Sequence, residues 1–113
     1  MSERLPSGVL VGALLRRVND AGGLGTVLAK GDAQGGAILI VTSARGADFR
    51  ILERGIAGRG GSGLVTCFES AGSDSQPVSD YWQKRRRHDP DMWVIELDSP
   101  DAERFAAETI GSP

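Results

Sequence analysis

The sequence predicts an α+β fold, a two-layer sandwich in which a mostly antiparallel sheet of about five strands carries helices packed on one face. Three observations predict it. Apolar residues recur at helical spacing in some segments and in short extended runs in others, in the order α-β-β-β-β-α-β-α. The separators after the first helix are rich in Gly, Asp and Ala, which favours hairpins between neighbouring strands. The chain of 113 residues, 40% apolar and 25% charged, supplies one hydrophobic core, so residues 1–113 are expected to form a single domain.

The first helix is read from Val11, Leu14, Leu15 and Val18, one apolar face opposite Arg16, Arg17, Asn19 and Asp20. Ser7 is its expected N-cap and Gly22-Gly23 its stop. Strand-like runs follow at Thr26 to Lys30, Ala37 to Ser43 and Phe49 to Arg54, expected to form a three-stranded antiparallel meander. In the middle run, Ile38 to Val41 is apolar without alternation, as in a strand covered on both faces. In the third, Phe49, Ile51 and Glu53 oppose Arg50, Leu52 and Arg54, which predicts one wet side. Leu64 to Glu69 is the fourth strand.

Pro77 to His88 carries Val78, Tyr81, Trp82 and Arg85 at helical spacing, and Pro90 stops the second helix. Met92 to Leu97 is the fifth strand, with Trp93, Ile95 and Leu97 on one face and Met92, Val94 and Glu96 on the other. Both tryptophans are expected between the sheet and the second helix. The last helix has Ser99 at N-cap, Pro100 at its first position and Gly111 past its end, with Ala102, Phe105, Ala106, Thr109 and Ile110 as its stripe.

The net charge of −2 removes the strongly basic footprint of a dedicated nucleic-acid binder. One Cys excludes an intrachain disulfide, and one Cys with one His excludes a zinc site built from those ligands. The longest apolar run, Gly8 to Leu15, is too short to span a bilayer and closes on Arg16-Arg17 where a signal peptide would place a cleavage site. No membrane association is expected, and a free thiol without a signal points to the cytoplasm. Residues 1–59 carry +3 and residues 60–113 carry −5, an asymmetry that suggests self-association as a homodimer.

Four candidate sites compete with plainer explanations. Gly58 to Gly63 matches a phosphate-loop string and holds Arg59, but a β-patterned run follows where a helix N-terminus should stand. Lys84 to His88 is the only dense basic run, and Arg85, Arg86 and Arg87 together with Arg59 are its anion-binding candidates. Against that, adjacent helical residues splay around the axis, and cations at a helix end also complement the macrodipole. His88, Asp89, Asp91 and Glu96 form a third candidate cluster. They faintly resemble a nuclease pattern whose Lys is replaced by Asp98, and solvated strand-end carboxylates are the alternative. Cys67 and His88 are the only thiol–imidazole pair, with Cys67 placed mid-strand where a buried, inert thiol is the default.

Several stretches taken in order, Ala13 to Val18, Ala21 to Gly23, Thr26 to Leu28, Gly31-Asp32, Gly36 to Leu39 and above all Arg86 to Glu96 with its Asp-Pro-Asp-x-Trp-Val-x-Glu string, carry a family resemblance. Their order resembles a family of small, single-domain alphaproteobacterial proteins classified as a domain of unknown function. The resemblance covers nearly the whole chain and implies a bacterial, cytoplasmic protein. It brings no activity, cofactor or catalytic residue with it.

The functional expectation is therefore a non-catalytic binding or regulatory module with an unidentified protein partner and no cofactor or metal. The alternatives are an enzyme or binder acting on a phosphate-bearing small molecule, and a weak nucleic-acid binder.

Overall fold

The computed structural model describes residues 5 to 55 and 63 to 111. In chain order these form α1 (Ser7–Asp20), β1 (Leu24–Ala29), β2 (Ile38–Ala44), β3 (Ala47–Gly55), β4 (Gly63–Ser70), α2 (Gln76–His88), β5 (Trp93–Asp98) and α3 (Ala102–Ala106), which runs on into a π-helical turn over Ala107–Gly111. The order is the expected one and the class is α+β.

Strand pairing departs from expectation. The sheet order is β1-β5-β2-β3-β4, so β5 is inserted between β1 and β2, antiparallel to the first and parallel to the second. The meander is therefore β2–β3–β4 instead of the first three strands. The cause lies in which strands need two neighbours. From Trp93 to Ile95 β5 is buried on both faces, and so is Ile38 to Val41 of β2, which makes the two strands natural partners at the centre. By contrast β1 carries Gly25, Thr26 and the exposed Leu24 and Val27, and is left at the edge.

Helices cover both faces of the sheet, which corrects the two-layer, one-face arrangement. On one face α1 and α3 meet Ile38, Ile40, Leu52, Trp93, Ile95 and Leu97, using Leu10, Leu14, Val18, Phe105 and Ile110. On the other, Leu39, Val41, Phe49, Ile51, Met92 and Val94 meet Val78 of α2, with Tyr81 and Trp82 packed against them. Two central strands that are apolar on both sides demand cover on both. The tryptophans divide accordingly. Trp93 lies on the α1–α3 side, opposite the face expected for it, with its indole N–H donating to the Asp32 carbonyl at 2.8 Å. Trp82 sits on α2 itself.

The side of β3 expected to be wet is partly covered, with Arg50 still about a third exposed. Leu52 is core, Arg50 pairs with Glu103 and Glu69, and Arg54 Nε donates to the Ile110 carbonyl at 2.9 Å. At the start of α1, Pro6 and not Ser7 occupies the N-cap. The buried Ser7 hydroxyl instead donates to the Gly36 carbonyl at 2.6 Å, locking the helix onto the loop before β2. At the other end Gly22 takes φ +90°, the left-handed conformation that closes α1. Ser99 does not cap α3, which begins at Ala102, but its hydroxyl accepts the Asp101 N–H at 3.1 Å and shapes the turn into the helix.

Candidate functional site

The two faces of the sheet are not equally covered, and the reason is the anchoring of α2. Its Val78, Tyr81 and Trp82 bring an apolar stripe onto β2, β3 and β4, and Tyr81 packs on Phe68 of β4 with ring centroids 5.0 Å apart. One turn on, Arg85 donates through both terminal nitrogens to Glu53 of β3 at 3.0 and 2.9 Å, and to the Tyr81 hydroxyl at 3.0 Å. That fork holds the Glu53 carboxyl below its ordinary range and pushes the Arg85 guanidinium up, each favouring its charged form. Near the C-terminal end, Arg86 ties the helix down through Nε to the Met92 carbonyl and Nη2 to the Lys30 carbonyl, both at 2.8 Å. Tyr81 and Arg85 hold α2 to β4 and β3, Arg86 ties only its C-terminal end to the chain beside β1 and β5, and the β1–β5 side beside its N-terminal half stays open.

That opening is a groove of about 180 Å³ walled by Leu28, Val41, Phe49, Val78 and Trp82, with the Ser75 and Ser79 positions of α2 at its rim and Glu96 on its floor. Glu96 stands in register with Thr26 of β1 on one side and Val41 of β2 on the other. It has no hydrogen-bond or ion-pair partner among the described residues. Burial raises its carboxyl above the ordinary range, and the charge of Asp98, two residues on along the same strand face, adds to the rise. Among the described residues the Asp98 carboxylate accepts the Arg45 backbone N–H, at 3.0 Å. Opposite Asp98, Ser43 is 5% exposed and its hydroxyl has no partner among the described residues. The floor thus holds a carboxylate with no ion-pair partner among the described residues, with Asp98 next along the same strand face and apolar walls around it, which is an environment suited to a cation on an apolar stem.

The sequence-derived candidates fall elsewhere. Arg59 and most of the glycine-rich loop lie outside the described residues. Arg85 and Arg86 are engaged as above, Arg87 is exposed on another side of α2, and the run wraps the helix instead of forming one patch. His88 places Nδ1 2.9 Å from the Lys84 carbonyl at the exposed helix end. Asp89 closes α2, its N–H reaching the Arg85 carbonyl at 3.1 Å, and the exposed Asp91 accepts the Asp32 N–H through its carbonyl at 2.9 Å. These three lie before the start of β5 while Glu96 lies towards its far end, three residues of strand, roughly 10 Å, beyond Trp93. Among the described residues no three His, Cys, Asp or Glu side chains gather as metal ligands.

Cys67 lies in the Glu53–Tyr81–Arg85 corner, its Sγ 3.4 Å from the Ile51 carbonyl, and burial pushes its thiol up, away from the thiolate. His88 is two helical turns beyond Tyr81, about 10 Å along the axis, so the thiol and imidazole are not brought together. A larger cleft of about 410 Å³ opens between the start of α1, the loop before β2 and the end of β3. Three of its polar side chains are already engaged: Ser7 binds the Gly36 carbonyl, Arg54 the Ile110 carbonyl, and Glu53 is held by Arg85. Of the groove, sequence reading singled out Glu96 alone. Leu28, Phe49 and Trp82 were legible only as core residues, because nothing local shows that α2 stops short of β1.

Comparison with known proteins agrees with this fold. The model of a family described as protein of unknown function, DUF1491, matches residues 5–107. A crystal structure of a DUF1491 family protein from Caulobacter crescentus is 29% identical, covers 90% of this chain and 94% of its own, and superposes with a TM-score of 0.76. An NMR structure of a DUF1491 family protein from the same bacterium is 30% identical over 92% of this chain and 94% of its own, with a TM-score of 0.76. A solution structure of a protein from A. tumefaciens is 26% identical over 98% of both chains, with a TM-score of 0.75. No curated protein matches.

Proposed function

The chain belongs to the DUF1491 family of proteins of unknown function, and from that premise we propose that it is a non-catalytic binding module whose receptor is the Glu96 carboxylate on the floor of the α2 groove. One observation carries the reading: Glu96 is a half-buried carboxylate with no partner among the described residues, set among Leu28, Phe49 and Trp82. The anion-binding alternatives draw less support, because Arg85 and Arg86 already satisfy Glu53 and two backbone carbonyls. The sources of its relatives and a single thiol support a bacterial, cytoplasmic setting.

The ligand class is an organic cation with a short apolar stem. A half-screened ion pair contributes up to about 1 kcal/mol and a cation over the Trp82 ring a similar amount, with burial of a short stem adding a few methylenes at about 0.8 kcal/mol each. The sum corresponds to millimolar affinity for a small probe. Titrating ethylguanidinium into labelled protein should shift the resonances of Glu96, Leu28 and the Trp82 indole saturably in that range, and Glu96→Gln should abolish the response. Shifts no larger than those from sodium chloride at equal ionic strength, or an unchanged response in the Gln variant, would overturn the reading.

A further inference from the structure

We propose that the occupant of the groove is an arginine or lysine side chain carried by an extended segment of a protein partner, which adds as a strand to the open edge of β1. The inference rests on the reading of Glu96 as a cation receptor and goes further by naming what carries the cation.

The backbone of β1 is poised for it. Among the described residues β1 is the end strand of the sheet and pairs only with β5. The Gly25 N–H is taken by Asn19 Oδ1 at 3.0 Å, so the Gly25 backbone faces away from β5. Backbone direction alternates with period two along a strand, so the N–H and C=O of Val27 also face outward. The register shift between Val27 and Ala29 then ends the regular edge, leaving a short ladder centred on Val27. The side chains there are not guarded by charge: Leu24 is 64% and Val27 40% exposed.

The side-chain geometry selects the chemistry. A strand laid beside β1 lies two strand spacings, about 9.5 Å, from β5. Between it and Glu96 stands only Thr26, a short side chain in direct register with Glu96. A long basic side chain crosses above Thr26 with its stem on Leu24 and Leu28 and its charged head at the Glu96 carboxylate, with Asp98 beside it. The residues before and after it point to the other face, where Val27 is exposed, and there small apolar residues fit. The recognised pattern is apolar–basic–apolar in extended conformation. A second copy of β1 does not supply it, because the residues of that strand on the groove side are Leu24, Thr26 and Leu28, none of them a cation.

The probe is the peptide acetyl-Thr-Val-Arg-Val-Thr-amide, read by amide hydrogen exchange and by the Glu96 and Trp82 resonances of the intact chain. Saturating peptide should slow exchange of the Val27 amide by at least about tenfold. Replacing the peptide arginine by glutamine should weaken binding by about tenfold or more, and N-methylating both valines should remove the Val27 protection. Val27→Pro deletes the outward N–H and should lose the peptide while still responding to ethylguanidinium. If that variant does not fold, the N-methylated peptide makes the same test. A peptide that shifts Glu96 but leaves Val27 exchange unchanged overturns strand addition and spares the cation site. Silence from both peptide and ethylguanidinium overturns both. A dimer in sedimentation whose Val27 amide is protected without peptide assigns the edge to a second copy and overturns the partner.

Discussion

The two faces of this sheet are built from the same two central strands and end differently. On the α1–α3 face every inward residue of β5 is apolar, Trp93, Ile95 and Leu97, and each is buried under helix. On the α2 face Met92, just before the strand, and Val94 within it are buried, and the strand then turns to Glu96 and Asp98, which α2 leaves half-covered. The first face contributes stability by closing. The second sacrifices part of its cover, keeps a charge half out of water, and so has a place for something else to bind. Substitutions on the two faces should therefore differ in size and even in sign.

The largest effect belongs to the closed face. Trp93→Ala removes a 6% exposed indole wedged against α1 and α3, and with it the bond to the Asp32 carbonyl. It should cost about 3–5 kcal/mol, visible as a collapse of the urea midpoint or as an insoluble chain. A loss below about 1 kcal/mol would mean that this face is not the closed one.

How far this contrast was readable beforehand depends on the residue. The period-two alternation of Met92 to Leu97 separated its side chains into the two correct sets, though which helix covers each set was not local information, and Gly22-Gly23 and Pro90 stopped α1 and α2 where the structure does, because such punctuation is a local property of the backbone. The unbroken apolar run Ile38 to Val41 already required cover on both sides. The neighbour of β1 is not local information. Its pairing with β5, some seventy residues away in sequence, is settled by which strand most needs a central place. In the sequence Glu96 falls into one candidate cluster with His88, Asp89 and Asp91, since proximity along the chain hides a strand's length of separation. The fate of the basic run depended on Glu53, whose place opposite Arg85 only the folded chain shows.

The anchoring of α2 gives the next effect. Arg85→Gln should cost about 1–2 kcal/mol at pH 7, the range for charge-assisted hydrogen bonds that are partly screened. Because the folded Glu53 carboxyl lies below its ordinary value of 4.5, its contribution is complete above that value and is lost as pH falls through the lowered one. The gap between wild type and variant, followed by urea denaturation, should accordingly shrink steadily below about pH 4.5. A gap that stays constant down to pH 2.5 would assign the loss to packing of the Arg85 stem on Tyr81.

A smaller contrast lies within α2 itself. Arg86→Gln removes the bonds to the Met92 and Lys30 carbonyls and should cost about 1 kcal/mol, whereas Arg87→Gln, on an exposed side chain, should stay within about 0.5 kcal/mol of wild type. Equal losses measured by thermal denaturation would show that the run acts through its summed charge and not through those two carbonyls.

The smallest expected effect has the opposite sign and bears most directly on the open face. The folded Glu96 carboxyl is raised above the ordinary value of 4.5, so the unfolded chain releases this proton first. Stability then falls as pH rises from about 4.5 through the raised value and levels off above it, where the charge is fully present in both states. Glu96→Gln has no proton to release and should be the more stable chain at pH 7, by a few tenths to about 1 kcal/mol, and no more stable than wild type at pH 3. Half exposure keeps the figure small, because water screens the charge from Asp98 and from the apolar walls. Addition of ethylguanidinium should close the gap at pH 7 by stabilising the wild type alone. A Gln variant less stable than wild type at neutral pH would mean that the carboxylate already has a partner holding it in the folded chain. In that case the open face would be an ordinary part of the structure, and its contrast with the closed one would lose its functional meaning.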